Sequence, residues 1–132
     1  MNEVPKGPDG DVVTVDVPAD VVYVSTLRLT AAGLAARCEL TIDDIEDLRL
    51  AVDEACALLL PNSKGERLVT HFELSYGCLA VRVNIDSTPG AEVDRVGFAW
   101  TVLGALATDV DVSAVDGRMA ISFTKRRVAG VG

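Results

Sequence analysis

The sequence has few basic residues, a single histidine and few aromatic side chains. Its 132 residues include 12 Lys and Arg against 20 Asp and Glu, which gives a formal net charge of −8, and aromatic residues make up only 5%. A nucleic-acid ligand requires clustered Lys and Arg to neutralise its phosphates, so this composition argues against direct nucleic-acid binding. A protein partner is expected to present a basic surface.

Cysteines and long apolar runs are also scarce. Cys38, Cys56 and Cys78 are odd in number and lack metal-ligand spacing, so we expect reduced core residues, with no disulfide framework and no metal site. No stretch approaches the roughly 20 apolar residues of a membrane-spanning helix, and the N-terminus carries no segment typical of a signal peptide. These absences predict a cytoplasmic protein that does not bind membranes.

The remaining composition favours one folded domain. Hydrophobic residues make up 49% of the chain, which is ample for a single core at this length. Gly, Pro and charged residues dominate the start, so we expect a flexible leader over residues 1–11, a single domain over 12–127 and a flexible tail over 128–132.

Hydrophobic periodicity predicts the order β, α, α, β, β, α, β, β. A strand over 13–17 precedes a helix within 19–37, and a second helix opens at Thr41 and stops at Pro61. Two strands follow around 68–74 and 79–85, and then a third helix over 97–108 with Phe98, Val102 and Ala105 or Leu106 facing inward. Asp116 and Gly117 predict a hairpin between the last two strands. This order indicates an α+β fold with one mixed or mostly antiparallel sheet and its helices on one face.

The second helix combines an apolar stripe with a carboxylate among leucines. The stripe comprises Ile45, Leu48, Val52, Ala55 and Leu59. Glu54 lies on the far side of the helix from this stripe, with Leu50 one turn before it and Leu58 one turn after it. Such a carboxylate suits general-base chemistry or a buried polar contact, although an ordinary surface Glu fits the same pattern. The acidic run around it fits either a solvated helix face or a docking surface.

Three segments together resemble a known family. They are LAVDEAC at residues 50–56, the segment from Asp86 to Gly90 and the segment from Gly97 to Leu106. In this order they resemble the anti-sigma regulatory factors of bacterial partner switching, the RsbW-like serine-protein kinases of the GHKL (Bergerat) ATPase superfamily. The resemblance covers roughly residues 12–127. It implies a two-layer α/β sandwich of the Bergerat type with three helices on one face of the sheet, and a homodimer that binds ATP and Mg²⁺.

The resemblance also assigns roles to residues of the helix motif. Glu54 matches the family's general base, and the position of the Asn that helps to hold Mg²⁺ is occupied by Leu58. An alkyl side chain offers no oxygen to a hard cation. Asp53 carries a carboxylate next to Glu54 but projects about 100° away from it around the helix.

The two later segments match the family in part. Asp86 stands where the family's Asp accepts a hydrogen bond from adenine, and Gly90 matches a glycine of the following turn, but Thr88 replaces another. Without the family context, this segment is an ordinary strand-ending turn. Gly97 matches the first glycine of the phosphate-binding helix start, whereas Ala99 replaces the second.

Several polar residues are expected to have no catalytic role. Only six residues separate Gly90 from Gly97, which is short for a lid over a triphosphate. Arg95 in this loop could meet a phosphate, but a solvated loop charge is favoured. His71 is predicted to lie on a sheet surface, and Lys125, Arg126 and Arg127 are predicted to form a solvated strand end.

These observations leave three functions open. The favoured one is an anti-sigma factor that sequesters an alternative sigma factor in a stress or development response and is released by a STAS anti-anti-sigma antagonist. The second is an active ATP-dependent serine kinase that phosphorylates this antagonist through Glu54. The third is a non-enzymatic nucleotide sensor or interaction module of the GHKL fold. The residues at positions 58, 88 and 99 predict weak or absent kinase activity.

Overall fold

Five strands form one sheet in the computed structural model, which describes residues 8–128. They are β1 (Asp9–Pro18), β2 (Ser63–Ser75), β3 (Cys78–Ser87), β4 (Thr108–Val115) and β5 (Arg118–Arg126). Their order across the sheet is β1-β2-β3-β5-β4, and every neighbouring pair is antiparallel. The predicted mixed or mostly antiparallel sheet is therefore fully antiparallel over the described strands.

Three helices pack on one face of this sheet. They are α1 (Val24–Arg37), α2 (Ile42–Leu59) and α3 (Phe98–Leu106), with short 3-10 turns at Val21–Tyr23 and Leu60–Asn62. Alternate residues of the central strands, such as Leu68 and Phe72 on β2 and Leu79 and Val83 on β3, are buried against the helices. The opposite sheet face carries no helix within residues 8–128. The predicted two-layer α+β architecture is confirmed.

The local signals that predicted α2 and the last hairpin work as expected. Thr41 caps α2, because its hydroxyl accepts the N–H of Asp44 while the Asp44 carboxylate accepts the N–H of Thr41. Asp116 and Gly117 both adopt positive φ in the β4–β5 turn, where Gly bears this conformation without strain.

The first strand is longer than predicted. It begins at Asp9, and a bulge between Asp9 and Asp11 is made possible by the positive φ of Gly10. The predicted leader, residues 1–11, therefore overlaps β1, while its residues 1–7 lie outside the described part of the chain. Most of the predicted tail, residues 129–132, also lies outside it. The N–H of Val128 donates to the Asp44 carboxylate.

The predicted inward face of α3 is wrong at Phe98, which is 81% exposed, and misses Leu103, which is fully buried. Val102 is half-buried, and of the alternatives Ala105 and Leu106, Ala105 is exposed and Leu106 packs against the core. The sequence of α3, FAWTVLGAL, is apolar on every side, so periodicity alone does not distinguish its faces. Its orientation is set by packing against α2 and β4.

The predicted solvated end of β5 is also wrong at its first residue. Lys125 is buried, and its ammonium group donates to the Asp47 carboxylate at 3.1 Å and to the Leu106 carbonyl at 2.9 Å. It belongs to the helix-facing row of β5, which also contains Ile121 and Phe123, so the strand's alternation carries it into the interior. Among the helices within residues 8–128, none is both long and apolar enough to cross a membrane.

Candidate functional site

Glu54 lies on the side of α2 that borders α3. It is half-buried, and within residues 8–128 its carboxylate makes no hydrogen bond and no ion pair. Leu58, one turn later, is buried in the hydrophobic core. The carboxylate is thus free to accept a proton from a bound hydroxyl group, but the position one turn later supplies no oxygen beside it.

The neighbouring carboxylate, that of Asp53, forms a structural contact. The Asp53 carboxylate accepts a hydrogen bond from the Arg28 guanidinium at 3.2 Å, which joins α2 to α1. Because Asp53 is engaged toward α1 and Glu54 lies toward α3, the two carboxylates do not converge on one ligand. Within residues 8–128, no group of three or more His, Cys, Asp or Glu side chains is placed to hold a metal ion.

Cys56 lies on the same helix, inside the core. Burial raises the pKa of its thiol to about 12, with a smaller contribution from the negative charge of Asp53. Burial also raises the pKa of Cys38. Neither thiol is a nucleophile near neutral pH, because the reactive form is the thiolate.

The structure does not bring Asp86 to the same side of the sheet as Glu54. Along β3, the residues that face the helices are Leu79, Val81, Val83, Ile85 and Ser87. Asp86 alternates with them, so its carboxylate projects from the opposite, open face, where it lies 3.8 Å from the Arg118 guanidinium. The helix-facing residue at this end of β3 is Ser87, which is buried.

The segment between Gly90 and Gly97 folds back onto the body of the domain. The Asn62 side-chain amide donates to the Leu58 carbonyl at 3.2 Å and to the Glu92 carbonyl at 3.3 Å. The next residue, Val93, is buried in the hydrophobic core. Gly90, which starts the segment, has φ of +79° and open space around it. The segment is therefore fixed in place by one amide and one apolar side chain.

The start of α3 is occupied by a carboxylate of the chain itself. Asp94 Oδ1 accepts the N–H groups of Val96 and Gly97, each at 3.0 Å. A Cβ atom at Gly97 would lie only 2.5 Å from Asp94 Oδ2, so any other residue at position 97 would displace this carboxylate. Backbone N–H groups at a helix start are the usual ligands of a phosphate. Asp94 accepts the two N–H groups that directly precede this helix start, and its negative charge opposes a phosphate there.

A hollow of about 760 Å³ lies beside this segment, but Glu54 does not line it. Its lining residues are Ala91, Glu92, Val93, Asp94, Arg95, Val96, Val112 and Ala114. Arg95 is exposed, and its guanidinium lies 5.4 Å from the centre of the Trp100 ring. Of the four predicted site residues, Glu54 and Gly97 belong to the packed α2–α3 region, whereas Asp86 and Gly90 lie away from Glu54.

Sequence reasoning missed three residues that shape this region, namely Asn62, Asp94 and Lys125. Asp94 had a readable signal, because an Asp two or three residues before backbone N–H groups at a helix start is a common cap-like pattern. Asn62 and Lys125 had none, since their partners lie 30 and 78 residues away along the chain.

Known proteins resemble this chain in sequence over part of its length. No family model matches the chain. The chain is 33% identical to the serine-protein kinase RsbW of Bacillus velezensis over 75 residues, which are 57% of this chain and 47% of that protein. It is 34% identical to the serine-protein kinase RsbW of Bacillus subtilis over 77 residues, 58% of this chain and 48% of that protein. The matched segments span about half the length of these relatives.

A solved structure extends the likeness to most of the fold. The crystal structure of the RsbU and RsbW domains of a Mycobacterium tuberculosis protein matches 88% of this chain and 32% of that chain, with a TM-score of 0.68 and 16% sequence identity. The chain is thus similar to RsbW proteins in part of its sequence and shares its fold with an RsbW domain. This likeness agrees with the predicted two-layer sandwich.

Proposed function

We propose that this protein is an anti-sigma factor that sequesters an alternative sigma factor in a partner-switching stress or development response. The relation to RsbW proteins supports partner switching in general. The start of α3 supports sequestration over phosphoryl transfer, because the Asp94 carboxylate accepts the N–H groups of Val96 and Gly97 and so brings a negative charge to the place where a phosphate would bind. Binding of a partner requires a folded surface and does not require this site to be open.

The charge of the chain supports a basic protein partner. With a formal net charge of −8, it attracts a basic surface and repels nucleic acid. The proposed role places the protein in the cytoplasm, with a sigma factor and a STAS antagonist as its partners. We further propose a homodimer as the working form, on the strength of the family relation.

Direct binding tests this proposal. The purified full chain is titrated by calorimetry with each sigma factor encoded in the same genome, with and without Mg·ATP. We expect one of them to bind and to be displaced by a STAS protein from that genome, and we expect its affinity to be independent of Mg·ATP. The absence of binding to every sigma factor would refute the anti-sigma role.

The second candidate function is an ATP-dependent serine kinase that acts on the STAS antagonist, with ATP and Mg²⁺ as cofactors. It is favoured by Glu54, which is half-buried and unpaired in the described residues and matches the family's general base. Incubation with labelled ATP and the STAS protein distinguishes the two functions. Transfer that is abolished in Glu54→Ala and retained in Glu73→Ala, a change on the open sheet face, would establish the kinase.

The third candidate is a nucleotide sensor without catalytic activity. A ligand present at a hundred times its dissociation constant stabilises a protein by about 2.7 kcal/mol, so thermal unfolding with ATP, ADP and Mg²⁺ detects it. We expect no shift in melting temperature for the native chain. A clear shift without phosphoryl transfer would favour the sensor.

A further inference from the structure

The outer face of α3 is apolar although it is exposed. The helix contains no charged residue, and its exposed positions are Phe98, Thr101, Gly104 and Ala105. These positions recur every three or four residues, so they line one side of the helix over about 12 Å. An exposed helix face without charge is typical of a surface that is covered by a partner.

Two polar contacts fix how α3 lies against α2. Lys125 joins Asp47, near the start of α2, to the carbonyl of Leu106 at the end of α3. Asn62, just after α2, is bonded to Glu92, a few residues before α3. The two packed helices are therefore antiparallel. Leu50, which is 49% exposed, follows Asp47 by about one turn, so it lies level with the C-terminal half of α3 and adds an exposed apolar side chain there.

Acidic residues without ion pairs border this apolar face. Asp43 and Glu54 lie on α2, and Glu92 and Asp94 lie in the segment before α3. None of these four forms a salt bridge within residues 8–128. The basic residue of this segment, Arg95, lies over Trp100. We name the face of Leu50, Phe98, Thr101 and Ala105, together with its acidic border, the α2–α3 ridge.

We propose that the α2–α3 ridge binds a basic amphipathic helix of the sigma factor, with apolar side chains against Phe98 and Leu50 and lysine or arginine against the acidic border. Charge complementarity selects this occupant. A second copy of the chain would bring acidic border against acidic border, and an anionic membrane would be repelled. The identity of the partner rests on the proposed function, whereas the chemistry of the surface does not.

Matched substitutions test the ridge with the sigma factor that binds the native chain. Phe98→Ser removes an exposed apolar side chain from the ridge, and Leu29→Ser removes one of similar exposure, 69%, from α1. We expect Phe98→Ser to weaken binding by about tenfold or more and Leu29→Ser by less than about twofold. Circular dichroism and melting temperatures verify that both variants fold. Equal affinities of the native chain and Phe98→Ser would overturn the assignment.

A second matched pair of substitutions tests the acidic border. Glu92→Gln alters the border, and Glu73→Gln alters another exposed carboxylate, on the open sheet face. We expect Glu92→Gln to lower affinity several-fold at low salt and to reduce its dependence on salt, and Glu73→Gln to change neither. Equal effects of the two substitutions would refute the electrostatic part of the proposal.

A model peptide tests the α2–α3 ridge independently of the proposed function. Trp100, the single tryptophan, lies on α3, so its fluorescence reports on this surface. The full chain is titrated with a helical peptide of about 18 residues made of Leu and Lys, and with a Leu and Glu counterpart. We expect saturable spectral change with the first peptide alone and its loss in Phe98→Ser. If no sigma factor binds but the Leu and Lys peptide still gives its response, the proposed function is refuted and the ridge remains a binding surface. If the two peptides give the same response, the ridge is refuted.

Discussion

The buried polar side chains of Cys56 and Thr70 form no hydrogen bond within residues 8–128, and each leads to a measurable prediction about stability. Cys56 lies on α2 in the core, where its thiol is kept protonated. Thr70 lies on β2 in the helix-facing row, and its hydroxyl is buried without a hydrogen-bond partner among the described residues. Such groups lose interactions with water and gain no equivalent in the fold.

Because the Cys56 thiol is buried, we expect the free energy of unfolding to fall at alkaline pH. The thiol's pKa is about 12 in the folded state against a model value of 9.0, so the unfolded chain releases this proton at lower pH. Stability is therefore complete below pH 9 and falls between pH 9 and about 12, by up to about 1.4 kcal/mol per pH unit. Urea unfolding at several pH values measures the slope. Cys56→Ala is the control, because it removes this titration, and identical slopes for the two proteins would contradict the prediction.

Because the Thr70 hydroxyl is buried, we expect its replacement to stabilise the fold. Thr70→Val replaces the unpartnered hydroxyl by a methyl group of similar size, so we expect the free energy of unfolding to rise by about 1 kcal/mol. The reverse change at its cross-strand neighbour, Val83→Thr, buries a new hydroxyl and should destabilise the fold. Urea unfolding of the three proteins gives both values. A Thr70→Val protein less stable than the native chain would show that the hydroxyl has a partner in solution.

At the scale of elements, the sequence predicts α2 well and α3 poorly for physical reasons. In α2 a capping box and an apolar stripe agree, so both its start and its buried face follow from local signals. In α3 every residue is uncharged, and only contacts with α2 and β4 select Leu103 as the buried side chain. The exposed Phe98 that results is the centre of the proposed ridge.

The candidate site also contains residues whose positions follow from the sequence and residues whose positions do not. The position of Glu54 follows from helical periodicity, whereas the position of Asp86 depends on which face of β3 it occupies. A strand alternates its faces at every residue, so a motif matched by order alone carries no information on the face. The buried row of β3 runs through Ile85 and Ser87, which leaves Asp86 on the open face. Partners distant in the chain, such as Glu92 for Asn62, cannot be predicted from local sequence patterns.

In the segment before α3, we expect a substitution at Asn62 to change the protection of backbone amides from hydrogen exchange. Asn62→Ala removes the hydrogen bond to the Glu92 carbonyl of the segment and the one that anchors the same amide to the Leu58 carbonyl of α2, so we expect faster amide exchange over residues 91–97 and a loss of stability of about 1 kcal/mol. Hydrogen exchange followed by mass spectrometry measures it. Asn84→Ala is the matched control, because Asn84 also donates to two carbonyls, those of Val69 and Arg82, but lies on β3. Equal exchange of residues 91–97 in both variants would show that Val93 alone holds the segment.

Across the whole molecule, Lys125 connects elements that are far apart in the chain. Its ammonium group links β5 to Asp47 of α2 and to the carbonyl that ends α3. A cation at the C-terminal end of a helix is also favoured by the helix dipole. The helix layer and the last strand are therefore held together by one buried side chain in addition to apolar packing, and the α2–α3 ridge depends on this alignment.

Lys125→Met tests this connection. Methionine retains most of the apolar stem but donates no hydrogen bond, so the Leu106 carbonyl loses its partner while the 44% exposed Asp47 side chain returns to water. We expect the free energy of unfolding to fall by about 1–3 kcal/mol, measured by urea unfolding, with a single cooperative transition retained. The control is Arg126→Met, because Arg126 pairs with Asp109 on the surface, where both side chains are 62% exposed. An exposed pair contributes little, so this change should stay within about 0.5 kcal/mol. Equal losses in the two variants would mean that Lys125 is no more important to the fold than a surface ion pair.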